Sequence, residues 1–225
     1  MRVAIAGAGA VGRSIARELI ANGHEILLID KNPESIKPER VPDAEWLLAD
    51  ACELSSLEEA RLDRCDVVIA ATGDDKVNLV TSLLAKTEFG VPRTVGRVNH
   101  PNNEWLFTEA WGVDVNVSTP RIMSALVEEA VTVGDLVRLF TFHQSNANLV
   151  EITLPDESPY VGKPAGLIPL PENCALVSIL RDGQVYVPDP QQPVEQGDEL
   201  LFVVPDANEA ELAALLAPSG RRTEA

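Results

Sequence analysis

An α/β fold, a doubly wound parallel sheet followed by a small α+β module, is what the sequence predicts, and three features carry the prediction. Short apolar runs alternate with helical patterns through the first half, and a glycine-rich turn separates the first run from the first helical stretch. From Leu149 onward the texture changes to short strands broken by proline and glycine. The apolar runs fall at 3–6, 25–29, 46–48, 66–70 and 94–95. Nearly continuous apolar runs of this kind suit strands covered on both faces and joined by crossover helices.

The helical stretches follow from spacing. Val11, Ile15 and Leu19 recur at helical intervals, and residues 76–88 repeat the pattern through Leu79, Leu83 and Leu84. A sixth strand is expected at 113–117, after an amphipathic segment at 103–111. Ser118-Thr119-Pro120 then reads as a helix start, with a hydroxyl cap and proline at the first helical position, leading into a helix at 121–133. Its apolar positions Ile122, Met123, Leu126, Val127, Ala130 and Val131 form one stripe, which suits either the sheet of its own domain or another subunit.

In the second half, strands are expected at 150–154, 175–180, 185–187 and 199–204. Arg181-Asp182-Gly183-Gln184 is a hairpin signal between two of them. A closing helix at 209–216 follows Asp206-Ala207-Asn208. Residues 142–148 read as a polar linker and 219–225 as a frayed tail. The expected domains are 1–135, 136–218 and the tail 219–225.

Composition narrows the function classes. With 225 residues, 45% hydrophobic and only 4% aromatic, the chain can bury one large aliphatic core or a medium domain plus a small one. The formal charge of −17 repels phosphate backbones and anionic lipid heads, which argues against nucleic acid and against direct membrane binding. No stretch approaches the ~20 apolar residues of a bilayer span, and the chain opens straight into a strand pattern, so a cytoplasmic location is expected. Cys52, Cys65 and Cys174 are odd in number and lack CxxC or Cys/His spacing. Free thiols are expected rather than a disulfide framework or a zinc site.

The chemistry-bearing motif is Gly7-Ala8-Gly9-Ala10-Val11-Gly12, placed after a strand and opening a helix. That context gives the GxGxxG pattern its meaning: Gly7 permits a tight turn, Gly9 lets backbone approach a pyrophosphate, and Gly12 lets helix and strand pack closely. Free amides and the positive helix end favour phosphate. About twenty residues on, Asp30 ends the second strand, where its carboxylate can accept from a ribose diol and repel a 2′-phosphate. The resulting expectation is a Rossmann domain holding an adenine nucleotide, NAD(H) in preference to ATP/ADP and not NADP.

Further candidates sit at the other predicted strand ends. Lys31 adjoins Asp30, and Asp50 and Ala51 follow the third strand, where Asp50 serves either to read the adenine edge or to cap a helix. Thr72 and Gly73 follow the fourth, near the phosphates or second ribose, while Asp74 and Asp75 suit helix caps. Arg97 follows the fifth, where it suits either anionic phosphate or a surface ion pair. Catalytic groups are scarce. Tyr160 and Lys163 lack Tyr-x-x-x-Lys spacing, and of His24, His100 and His143 only His100 falls near a strand end, as a loop residue before Pro101. An oxidoreductase with unrecognised catalytic residues is the rival to a regulatory role.

Gly7 to Gly12, Asp30, the run Ala71-Thr-Gly-Asp-Asp-Lys-Val-Asn78 and Arg97-Val-Asn-His-Pro101, followed by a small β-rich module, resemble the TrkA/KtrA family of RCK (regulator of potassium conductance) proteins. The run Asn103-Glu-Trp-Leu-Phe-Thr-Glu-Ala-Trp111 is most similar to its actinobacterial type. The resemblance implies a peripheral homo-oligomeric ring, commonly of eight RCK units and in some cases shared with a second RCK subunit, docked under a TrkH/KtrB-like potassium-translocating membrane protein. Nucleotide identity in the cleft would gate that partner, and the 121–133 helix would join subunits. An RCK-type regulator of another cation transporter is the alternative within this class. Ala10 stands where ATP-sensing relatives often carry arginine, which favours NAD(H). Asp75 replaces a frequent glutamate, and its shorter side chain leaves the partner open.

Overall fold

The apolar runs of the first half pair side by side, all parallel. In the computed structural model, which describes residues 1–131, 133–142 and 145–216 and only the backbone of 128–130, β1 (Arg2–Ala6) lies between β2 (Glu25–Asp30) and β4 (Val67–Ala70). With β3 (Glu45–Leu48), β5 (Arg93–Val98) and β6 (Val115–Ser118) the order is β3-β2-β1-β4-β5-β6. The order reverses between β1 and β4, so two neighbouring loops diverge at the strand C-termini and leave a crevice.

The crossover helices are α1 (Ala10–Ala21), α2 (Leu54–Glu59) and α3 (Asp75–Thr87). The buried side of α1 is made of small residues, Gly12 and Ala16, so the helix comes close to β1 while Ile15 and Leu19 pack beside it. On the other face, Leu57, Leu62 and Ala85 close over Ala4, Ala6, Leu27, Ile29 and Val68. Two 3-10 turns, Pro101–Leu106 and Glu109–Trp111, occupy the segment read as amphipathic, and Phe107 and Val113 plug it against Leu79 and Val98.

Contacts divide the chain into two compact units, Met1–Arg121 and Ile122–Ala225, with the division inside α4 (Thr119–Val131). This helix begins at Thr119, one residue before the proline expected at its first helical position. The Ser118 hydroxyl is buried without a hydrogen-bond partner among the described residues, and the Thr119 hydroxyl accepts from Arg97. The expected hydroxyl cap is therefore replaced by a tie to β5. Ile122, Met123, Leu126, Val127 and Val131 are all exposed. The side chain of Ala130 and the residues His143 and 219–225 lie outside the described set.

The second unit holds an antiparallel sheet, ordered β10-β9-β11-β8-β7. Its strands are β7 (Val137–Phe142), β8 (Ala147–Thr153), β9 (Ala175–Arg181), β10 (Gln184–Tyr186) and β11 (Glu199–Pro205). β7 was not expected, and its Phe142 and the start of β8 take up described parts of the segment read as a linker. Asp182 and Gly183 both have positive φ, which joins β9 to β10 as a two-residue hairpin, as the sequence signalled. Val150, Ile152, Ile179, Leu200 and Phe202 form the core beneath α5 (Glu209–Leu216) through Leu212 and Leu216. No helix among the described residues is long and apolar enough to cross a membrane.

Candidate functional site: a crevice at the strand ends

The glycine loop is folded by its own sequence. Gly7 has φ +105, and a Cβ there would lie 2.9 Å from the backbone of Ala71 and Thr72, so only glycine fits between the ends of β1 and β4. At Gly12 a Cβ would run into the Gly7 carbonyl, which fixes close packing of α1 on the loop. Gly9 differs from both: beyond its own chain neighbours, no atom of the described residues lies within 4 Å of where its Cβ would be. Its lack of a side chain preserves open space beside the start of α1, where no side chain caps the helix and no acidic residue occupies the first turn. The first amides of such a helix have no intrahelical acceptors and carry the positive end of its dipole.

Asp30 closes the loop from the side. Its Oδ2 accepts the Ala8 amide at 2.8 Å and its Oδ1 accepts the Asn32 amide at 2.9 Å. A carboxylate offers about four acceptor positions, so two remain for a ligand hydroxyl. Arg13 donates to the Ala8 carbonyl and holds the loop from the helix side.

These residues border a cavity of about 610 Å³. Gly7, Gly9, Ala10, Val11, Asp30, Lys31, Asp50, Ala51, Thr72, Gly73 and Arg97 all line it, so the structure gathers eleven of the thirteen residues singled out from sequence. Ala8 and Gly12 lie behind the wall, Ala8 fully buried with its amide turned to Asp30 and Gly12 packed on Gly7. Sequence reasoning missed Ile29, Asn32, Ser35, Ala49, Ala71 and Val77 and read Asp74 only as a cap. Asp74 does both, since it lines the cavity and accepts the Lys76 amide as N-cap of α3.

The remaining side chains set the charge of the walls. Asp50 does not cap α2, whose N-cap is Glu53. It accepts the Cys52 amide at 2.9 Å and meets the Lys31 ammonium at 3.4 Å. The amide bond and the lysine hold its carboxyl below the usual range against a smaller opposing effect of burial. Asn78, fully buried, knits two strand ends together: its Oδ1 accepts the Thr72 amide and hydroxyl, and its Nδ2 donates to the carbonyls of Thr72 and Arg97. Arg97 donates from Nε to the Thr119 hydroxyl at 3.3 Å, and among the described residues it has no carboxylate partner, so the surface ion pair weighed for it is not formed there.

Asp75 is not a cap. It is buried and accepts from Asn99 N and Nδ2, His100 N and Asn103 Nδ2, at 2.6 to 3.0 Å. Burial pushes its carboxyl up, and the donors of Asn103, Asn99 and His100 together outweigh it and hold the group below its ordinary value. The shorter side chain thus has ample partners. Cys65 is buried and Cys52 and Cys174 half-buried, all as free thiols raised mainly by burial. His100 accepts the Asn102 amide at Nδ1 and begins the 3-10 turn at Pro101.

Comparison with known proteins supports one family. The family models for the TrkA-N domain and the TrkA-C domain match residues 3–119 and 149–217. The chain is 62% identical over 219 residues to the Trk system potassium uptake protein TrkA of Mycobacterium tuberculosis (strain ATCC 25618 / H37Rv), covering 97% of this chain and 100% of that one. It is 29% identical over 206 residues to a TrkA homolog of Methanothermobacter thermautotrophicus, covering 91% of this chain and 94% of the relative. Among solved structures, the GsuK channel bound to NAD shares the fold at 18% identity with a TM-score of 0.69, covering 98% of this chain and 40% of that one. With both halves matched and a full-length relative at this identity, the chain belongs to the TrkA family, a TrkA-N domain followed by a TrkA-C domain.

Proposed function

We propose that this chain is the nucleotide-sensing regulatory subunit of a Trk/Ktr-type potassium-uptake system, binding NAD(H), or alternatively ATP/ADP, in the crevice of its first unit. The observation that carries the reading is the glycine elbow itself: Asp30 is fastened to the Ala8 amide, while no other part of the described chain fills the space beside Gly9. A pyrophosphate there would meet the amide end of α1, a ribose diol would meet Asp30, and an adenine would lie among Ala49, Asp50 and Ala51. The charge of Asp30 disfavours a 2′-phosphate. Full-length relatives named as Trk potassium uptake proteins, and a channel of the same fold bound to NAD, support both halves of the proposal.

On this reading residues 1–135 form the sensing half and 136–218 a regulatory module. Copies join through the exposed stripe of α4, and the ring works at the cytoplasmic face of the membrane under a TrkH/KtrB-like translocating partner. The nucleotide gates by differential affinity for two ring shapes, since equal affinity would shift nothing. Catalysis is not part of the role, so NADH is bound without turnover at 340 nm.

Calorimetry with NAD⁺, NADH, ADP and ATP tests the site. The wild-type protein is expected to bind at least one of them, and Asp30→Ala to weaken it about 100-fold through loss of charge-assisted ribose bonds. Undiminished affinity in that variant would remove the site from consideration.

A further inference from the structure

Resting on this nucleotide reading, we infer that Thr119, the first residue of α4, is a positioning residue for phosphate recognition: it steadies the Arg97 guanidinium and so ties ligand charge to the foot of the exposed helix. Arg97 lines the crevice, its carbonyl is fixed by Asn78 Nδ2 at 2.8 Å, and its Nε donates to Thr119 Oγ1. Both ends of the residue are thus held. With Nε engaged, the two terminal nitrogens form the edge left for an anion, and a phosphate takes such a fork through two parallel bonds. A guanidinium already steadied loses less side-chain freedom when it binds.

The same foot of α4 is tied down a second time. Arg121 pairs with Glu104 in the Pro101–Leu106 turn, and the neighbouring Asn103 is anchored on buried Asp75. All of these contacts lie within the first unit. Beyond Arg121 the helix continues into the residues that expose Ile122, Met123, Leu126 and Val127. By reciprocity, a phosphate that immobilises Arg97 strengthens its hold on Thr119 and orders the first turn of α4.

Thr119→Val keeps the shape and removes the hydroxyl, whereas Thr119→Ser keeps the hydroxyl. Titration of the full chain with NAD⁺, ADP and adenosine is expected to show roughly five-fold weaker NAD⁺ and ADP binding for the valine variant, the loss typical of one hydrogen bond. Adenosine affinity stays unchanged and serine restores the phosphate ligands. Hydrogen exchange adds a second readout: ADP should protect the first-turn amides of α4 in the wild type and not in the valine variant. Wild-type ADP affinity in Thr119→Val, or an equal loss for adenosine, overturns the inference while leaving the nucleotide site standing. A wild-type chain that binds none of the three brings down the nucleotide reading and this inference together.

Discussion

Arg97 and Arg181 each stand near the end of a strand, one in each unit, and they are treated in opposite ways. Arg181 is consumed by its surroundings: it forms a two-pronged bond with fully buried Asp198 at 2.6 and 2.7 Å, pairs with Glu195 and donates to the Pro193 carbonyl. The Asp198 bond raises its already high pKa against the opposing effect of burial. Arg97, in contrast, leans on one neutral hydroxyl beside a cavity. Arg138 repeats the first pattern, shared between Asp206 and Glu209, with Asn148 also donating to Glu209. Two arginines of the antiparallel unit are thus matched by carboxylates, whereas Arg97 of the parallel unit lines the crevice with no carboxylate partner among the described residues. Charge that is already neutralised stabilises a fold, whereas charge held without a counter-ion suits a site awaiting one.

Five substitutions would break or sharpen this contrast. Arg181→Ala has the largest expected effect, because it strands a buried carboxylate; it should lower stability by about 3–5 kcal/mol in denaturant melts. Arg97→Ala should stay within about 0.5 kcal/mol of wild type. Equal losses would erase the distinction. Next comes the pair of glycines in one loop. Gly12→Ala drives a methyl into the Gly7 carbonyl and should cost about 3 kcal/mol or more. Asp75→Asn should cost about 1–3 kcal/mol at pH 7, because an amide cannot accept from all four donors.

The pH dependence of that last difference follows from the depressed carboxyl. Its contribution is complete above the ordinary value of 3.8 and is lost as pH falls through the lower folded value. The gap in melting temperature between wild type and Asp75→Asn should therefore close in acid, and a gap independent of pH would assign the cost to packing. Smallest in stability is Gly9→Ala, within about 0.5 kcal/mol. Its methyl projects into the unclaimed space of the crevice, so nucleotide affinity should fall at least about ten-fold when measured by calorimetry.

Much of this was written locally in the sequence. The elbow, Asp30 and the strand-end positions of Thr72 and Arg97 follow from motif and period alone, because a parallel sheet brings every strand C-terminus to one edge. The Asp-Gly hairpin was equally legible, since both residues tolerate positive φ. β7 was not. Its run Val-Arg-Leu-Phe-Thr-Phe sits at a sheet edge with Phe140 and Phe142 exposed and an irregular register, so burial and period disagree. Asn32 and Ser35 reach the crevice through a loop with no period to read. Asn78 and Asp75 lie in plain view within the run 71–78, yet their partners at 97–103 depend on the crossover that brings α3 against β5.

The tether between Asp30 and the Ala8 and Asn32 amides is made wholly of groups within the chain. A guest molecule therefore finds the elbow already organised, its ordering entropy accounted for when the chain folded. Capture should need no slow remodelling of that loop: in stopped flow, a single exponential whose rate climbs linearly with ligand concentration is the expected trace, and a plateau would mean the lock must first be assembled.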